Sequence, residues 1–290
     1  MNQLFAFGLG YSALATGSLL QAIGWQVTGT VRSATKFEEI EKQGFEPILF
    51  SDRGAIEAAL ANTTHVLVSV PPTEGGDPVI HAYAGALRTA PSLRWAGYLS
   101  TIGVYGDLQG AWADEATPAE PDTGRGGARV RAERAWQAFS AGHGLSLDIF
   151  RLAGIYGPGR SPFARIRSGE AQRIVKQGQV FNRIHVDDIA QTVAAAILQD
   201  RRQAETRLFN VADDEPAPPQ DVILYAAELI GAPLPPEIPF ESADLSPMAR
   251  SFYAGNKRIR NEKIKQELNV LLKYPSYREG LRALAANEGG

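Results

Sequence analysis

The chain has 290 residues, with no cysteine, two methionines and four histidines. Without cysteine there is no disulfide, no thiolate nucleophile and no zinc–thiolate centre. His65, His81, His143 and His185 are scattered, with none of the spacing of a helical metal site, so no metal is expected. Neither sign of charge dominates: 29 Lys and Arg stand against 32 Asp and Glu, a formal net charge of −3. That balance supplies no basic field for nucleic acid or an anionic bilayer. Long apolar runs are missing too. The most apolar stretch, residues 4–31, is broken by Gly8, Gly10, Gly17 and Gly24, whereas a membrane span needs about 18 apolar residues in a row. It also lacks the basic start and cleavable end of a secretory leader. A cytoplasmic protein is expected.

Hydrophobic content is 44% and charged content 21%, ordinary for a globule. The length allows one large domain, or a large domain with a smaller lobe. The first thirty-one residues organise the rest. Leu4–Phe7 reads as a buried strand, and the chain turns on Gly8 and Gly10. A helix is predicted over 12–23 and a second strand over 25–31. Strand, glycine turn, helix and strand form the context of a dinucleotide fingerprint. Gly8 allows the tight turn. Gly10 removes a side chain that would block a pyrophosphate. Ala13 stands where a third glycine would and still lets helix and strand approach. Tyr11, Ser12 and Ala13 open the helix whose N–H groups would face the phosphates.

The end of the second strand offers no acidic residue for an adenosine ribose. Arg32 and Ser33 offer a cation and a hydroxyl instead, which suits a 2′-phosphate, so NADP is expected over NAD. The plain alternative is a solvated arginine. Further on, Asp52 either lies near the adenine or caps a helix over 53–60. His65–Val70 is a near-continuous apolar run of the parallel-sheet kind. It ends at Pro71-Pro72, and Gly75 and Gly76 then predict a mobile loop beside the cofactor. Strands are also predicted over 45–50, 95–100, 145–152 and 206–211, with helices over 35–43, 79–89, 189–198, 220–230, 261–268 and 277–286.

Several longer strings are specific. They are Leu99-Ser-Thr-Ile-Gly-Val-Tyr-Gly106, Arg151-Leu-Ala-Gly-Ile-Tyr-Gly-Pro-Gly-Arg160, Arg183-Ile-His-Val-Asp-Asp-Ile-Ala190 and Asn256-Lys-Arg258. In this order, over nearly the whole chain, they resemble the extended short-chain dehydrogenase/reductase superfamily in its NAD-dependent epimerase/dehydratase branch. They look closest to atypical, nucleoside-diphosphate-sugar epimerase-like members. The resemblance implies an α/β fold, a Rossmann-type doubly wound parallel sheet with helices on both faces and a smaller C-terminal substrate lobe. The dinucleotide-binding part would take residues 1–160 and 179–211, the lobe 161–178 and 212–290. It implies NAD(P)-dependent hydride transfer at a secondary alcohol or ketone, on a small-molecule substrate that is anionic or a nucleotide sugar. Relatives often pair as homodimers. Val70, Pro71, Pro72 and Ser100 would border the cofactor.

The resemblance also implies a hydroxyl at the end of strand five and a Tyr and Lys four residues apart on the next helix. Thr101 matches the hydroxyl. Aligned on Glu133, Arg129 stands for the lysine and Arg125 for the tyrosine, so no Tyr-x-x-x-Lys is present. A guanidinium stabilises an oxyanion or clamps an anion, but it cannot act as the proton donor. Arg125, Arg129 and Glu133 share one helical face. That face is either a remodelled anion site or an exposed salt-laced helix start, unless the alignment is wrong by a turn. Tyr105 and Tyr156 read as pocket-wall aromatics; water, the cofactor ribose or Tyr105 would have to supply the proton. His185 reads as structural, and Asp187 or Asp188 as a helix cap. Arg160, Arg165, Arg167, Arg173 and Lys176 form either a receiver for an acidic group or a solvated lid. Missing the Tyr/Lys pair, the chain has a second reading as a non-catalytic NADP-binding sensor or regulatory protein.

Overall fold

The computed structural model describes residues 2–122, 124–199, 201 and 203–288. The ends of the two expected parts, residue 1 and residues 289–290, lie outside the described residues. Seven strands build the main sheet: β1 (Gln3–Phe7), β2 (Gln26–Val31), β3 (Glu46–Leu49), β4 (His65–Val68), β5 (Trp95–Thr101), β6 (Ser146–Leu152) and β7 (Thr206–Val211). Their order is β7-β6-β5-β4-β1-β2-β3, parallel throughout. The order reverses between β1 and β4, and ligands of doubly wound sheets bind at such a reversal, outside the carboxyl ends of the strands.

The helices are α1 (Tyr11–Gln21), α2 (Phe37–Glu41), α3 (Arg53–Leu60), α4 (Pro78–Thr89), α5 (Gly124–Ala141), α6 (Phe163–Arg167), α7 (Val186–Leu198), α8 (Pro219–Leu229), α9 (Pro247–Ser251), α10 (Glu262–Glu267) and α11 (Tyr277–Glu288). In β1 the side chains alternate between faces. Leu4 and Ala6 join the cluster beneath α1 and α7, with Leu20, Val193 and Phe209. Phe5 and Phe7 join the cluster beneath α3, α4 and α5, with Ile56, Tyr83, Tyr98 and Trp136. Both faces are therefore covered, which is why β4 and β6 are buried from end to end.

Two smaller apolar clusters lie outside the sheet. One gathers Tyr156, Phe163, Val222, Tyr277 and Leu281, the other Ile174, Tyr253, Phe181 and Phe240. Short parallel pairs stitch this region together, 154–156 with 183–185 and 173–175 with 237–239. A third pair, Trp112–Ala113 with Arg258–Ile259, ties it to the loop after β5.

Local details differ from expectation where tertiary contacts intervene. β4 stops at Val68, and one further bond, from Ser69 N–H to the Phe7 carbonyl at 2.9 Å, joins its exit to β1. The glycine-rich segment is a closed turn, with Thr73 and Gly76 exchanging backbone bonds of 2.9 and 3.1 Å. Asp77 then caps α4, accepting from Val79 and Ile80 N–H at 2.9 Å. Asp52 caps α3 through Ala55 N–H at 3.0 Å. Neither Asp187 nor Asp188 caps α7. Helical geometry begins at Val186, so His185 takes the cap and its Nδ1 accepts from Asp187 N–H at 3.1 Å. Asp188 instead accepts from the backbone N–H of Lys273 (2.7 Å) and Tyr274 (3.1 Å), tethering the segment before α11 to α7.

Candidate active site

The crevice at the reversal is built from backbone first. Gly8 has φ +94°, a conformation that L side chains resist, and its N–H donates to Thr30 Oγ1 at 2.8 Å. A Cβ there would stand 3.2 Å from Val70 Cγ2, so the ends of β1 and β4 approach as closely as glycine allows. At Gly10 the nearest atom to an added Cβ is Ser69 Oγ, at 3.8 Å, which leaves an open cradle over the start of α1. Gly10 caps α1 without a side-chain hydrogen bond, and the first turn holds no acidic residue. Its leading N–H groups and the positive end of the helix are thus available to an anion. The backbone fits a dinucleotide diphosphate. A polar depression of about 540 Å³ lies at the other end of the sheet, beside Gln3, Gln26 and Glu46. Those are the first residues of their strands, where no helix N-terminus points, so the crevice is the better candidate.

The side chains assigned to the cofactor fall into two groups. Val70 and Pro72 are half-buried and Pro71 is exposed at the rim, while Ser12 and Ala13 are buried under the turn. Tyr11 props a loop. Its hydroxyl donates to the Pro158 carbonyl at 2.9 Å, and the Arg160 guanidinium lies 4.2 Å from its ring centre. Ser100 faces away from the crevice, since its hydroxyl donates to Glu133 Oε1 at 2.5 Å under α5. Arg32 is exposed just past β2, and the Ser33 hydroxyl is engaged with Thr35, capping the 3₁₀ turn over 34–36.

At the end of β5, Thr101 is half-buried and its Oγ1 accepts from Gly103 N–H at 3.1 Å, leaving its own proton to donate. Tyr105 lies one turn on, but it is 1% exposed and donates to Asn210 Oδ1 at 2.7 Å. Burial raises its pKa. This placement removes Tyr105 as a proton donor to a ligand in the crevice. On α5, the three residues of the aligned face go to three different places. Arg129 donates to the Leu99 carbonyl at 2.9 Å and to the Tyr98 hydroxyl at 3.1 Å. Arg125 donates to Ser251 Oγ at 2.7 Å, with the Phe252 ring 5.5 Å away. Glu133 is buried against Arg151.

The basic stretch after Arg160 does not converge on one point. Arg165 donates to the Glu170 carbonyl at 3.2 Å, Arg173 to that of Pro235 at 2.9 Å and Lys176 to that of Tyr253 at 2.5 Å. His185 is buried between the rings of Tyr156 and Tyr274, and burial pulls its pKa down to about 4. Tyr156 is buried as well, with its hydroxyl 3.3 Å from the Ser276 carbonyl. A residue the sequence reading passed over is Lys257. Its Nζ donates to the Gly106 carbonyl, beside the bond from Asn256 N–H to the Asp107 carboxylate (Oδ1, 2.7 Å). The one signal for it was its place in Asn256-Lys-Arg258.

Residues 15–212 match the NAD dependent epimerase/dehydratase family. The chain belongs to that family. Its activity class is accordingly that of NAD(P)-dependent oxidoreductases and epimerases acting on small molecules. It is 29% identical to Protein YeeZ of Escherichia coli K12 over 246 residues, covering 80% of this chain and 85% of that protein. It is 27% identical to a 3-diazoavenalumate denitrifying reductase of a Streptomyces species over 294 residues, covering 90% and 93%. Among solved structures, a conserved protein of unknown function from Silicibacter pomeroyi is 51% identical with a TM-score of 0.92, covering 99% of both chains.

More distant structures overturn the expected NADP preference. MoeE5 with UDP-glucuronic acid and the Bacillus cereus UDP-glucuronic acid 4-epimerase both hold NAD, as does the Bifidobacterium longum UDP-glucose 4-epimerase. In this chain the local reason is plain. Ser33 Oγ accepts from Thr35 N–H as the cap of the 3₁₀ turn, and the Arg32 side chain is exposed to solvent. Among the described residues, no helix is long and apolar enough to cross a membrane.

Proposed function

We propose that the chain binds NAD across α1 and catalyses hydride transfer at the carbonyl or secondary alcohol of a small anionic substrate. The substrate would sit between the end of β5 and the C-terminal lobe. The observation that carries this reading is the open cradle at Gly10, on the same sheet edge as the free donor of Thr101. When bound, NAD gives or takes the hydride. Thr101 orients the reacting oxygen. Arg129 holds the end of β5 in place through the Leu99 carbonyl, and Arg125 brings positive charge to the lobe side of the cleft.

Relatives act on or hold two kinds of anion, UDP sugars and the organic acid 3-diazoavenalumate. A compact carboxylate suits this cleft better than a diphosphate. Arg165, Arg173 and Lys176 already donate to lobe carbonyls, so these three offer a nucleoside diphosphate no converging pair of cations, and phosphate recognition favours such forks. The test has two stages. Fluorescence titration should show NADH binding in the micromolar range. NADH oxidation should then proceed with keto acids or aryl ketones carrying a carboxylate, and more slowly with UDP-sugar-derived ketones. Absence of NADH binding would refute the cofactor assignment, and preference for UDP sugars would refute the compact substrate.

A further inference from the structure

Hydride transfer leaves one chemical role unfilled. A hydride reaching a carbonyl carbon generates an alkoxide, which needs a proton. The expected tyrosine is Arg125 here, and a guanidinium does not release a proton near neutral pH. Tyr105 is sealed behind Asn210. Tyr98 is fully buried, with its hydroxyl in contact with Arg129 and its pKa pushed up to about 12. None of these can serve the crevice.

Lys257 comes from the other side of the cleft. The parallel pairing of Arg258–Ile259 with Trp112–Ala113 carries it to the loop that follows β5. Its Nζ donates to the carbonyl of Gly106, the residue that closes the single 3₁₀ turn begun at Thr101. At about 2 Å of rise per residue, that turn separates Gly106 from Thr101 by roughly 10 Å. A Cβ built at Gly255 would lie 3.1 Å from Lys257 Nζ and 3.3 Å from Asp122 Oδ2, so ammonium and carboxylate face each other across a glycine. Asp122 precedes α5, the helix that carries Arg125. The ammonium thus stands where the β5 loop, the entry to α5 and the lobe segment 255–257 meet.

We propose that Lys257 is the proton donor of the hydride-transfer reaction, in place of the missing tyrosine. This rests on the hydride-transfer reading above. In reduction, hydride adds to the carbonyl carbon and the C=O π pair takes a proton from Lys257 Nζ. The products are the alcohol, NAD⁺ and a neutral amine, which regains its proton from water. In oxidation the neutral amine removes the hydroxyl proton. For this step Nζ would have to leave the Gly106 carbonyl and come within about 3 Å of the substrate oxygen, moving on its rotatable four-carbon stem. Burial lowers the Lys257 pKa, while Asp122 and Asp107 hold part of the charge in place. Lys176, on the lobe side, in turn acts on Asp107. A depressed lysine is a better acid and base near neutrality than an exposed one.

Two variants and two readouts test this. Reductive methylation with ¹³C-formaldehyde keeps lysine charge, and the Lys257 signal is assigned by its loss in Lys257→Arg. It should titrate at lower pH than free dimethyl-lysine in the same buffer; titration together with the free compound would overturn the proposal. Lys257→Arg keeps the cation on Gly106, and should keep NADH affinity and melting temperature while losing at least 100-fold in NADH oxidation with the best carboxylated ketone. Lys257→Met should lose as much and recover part of its rate with added ethylamine. Full turnover by Lys257→Arg would show a purely structural cation. A wild-type protein that binds NADH but reduces no ketone would refute hydride transfer itself, before the variants are compared.

Discussion

Glu133 and Arg151 form a buried fork that locks α5 to the sheet. Arg151 Nη2 lies 2.8 Å from Oε2 and Nε 3.2 Å from Oε1, with side-chain exposures of 6% and 4%. Ser100 donates to the same carboxylate, and the Arg151 guanidinium lies 4.7 Å from the Tyr105 ring centre. The fork therefore fixes β5, β6 and α5 immediately behind Thr101. Breaking a buried pair from one side leaves an uncompensated charge, which costs about 3–5 kcal/mol. Glu133→Ala should lose stability on that scale in denaturant titration. The double variant Glu133→Leu with Arg151→Met should lose less than either single truncation.

The two turn glycines should separate folding from binding. Gly8→Ala places a Cβ 3.2 Å from Val70 Cγ2 at a φ of +94°, and strain of this kind costs about 1–3 kcal/mol. Its melting temperature should fall. Gly10→Ala meets nothing closer than 3.8 Å, so its melting temperature should hold while NADH affinity falls about tenfold or more. Calorimetric titration beside a melt distinguishes the two effects.

Thr101 caps the turn after β5 through Gly103 N–H, and the proposed reaction gives its hydroxyl a second, chemical task; serine can do both. Thr101→Ala removes the acceptor for Gly103 N–H, at about 1 kcal/mol, and the donor to the substrate oxygen. Ketone reduction should fall by about 10- to 100-fold. Thr101→Ser should retain most activity. Equal loss in both variants would argue for the methyl group rather than the hydroxyl.

His65 gives the fold an acid sensitivity of its own. It is buried between the rings of Trp25 and Trp95 and hydrogen-bonded to Thr64, and burial first, then Arg94 and Arg201, lower its pKa to about 3. The unfolded chain takes up this proton near pH 6.5, and the folded chain only near 3. Stability is present above 6.5 and is lost as pH falls toward 3, by up to about 1.4 kcal/mol per pH unit. Asp77 and Asp188, raised by burial, act in the opposite sense in the acid range. The comparison must therefore be between proteins: His65→Gln should show a shallower decline between pH 6.5 and 4 in denaturant titration.

Much of the fold was written locally. The 4–31 stretch carried strand, turn, helix and strand because Gly8, Gly10 and the apolar runs act over a few residues. The parallel sheet was legible in continuous runs such as His65–Val68, and the family in short strings at fixed order. Helix caps at Asp52 and Asp77 also follow from near neighbours. What the sequence alone did not determine is where polar groups find their partners. Ser100 and Thr101 are adjacent, yet pleating turns one toward Glu133 and leaves the other at the sheet edge. Arg125, Arg129 and Glu133 share a helical face, yet the lobe, β5 and the core each claim one. Asp188 bonds the backbone of 273–274, and Lys257 reaches Gly106, across long stretches of chain. A side chain's hydrogen bonds and desolvation depend on what folding brings beside it, and only the tertiary structure decides that.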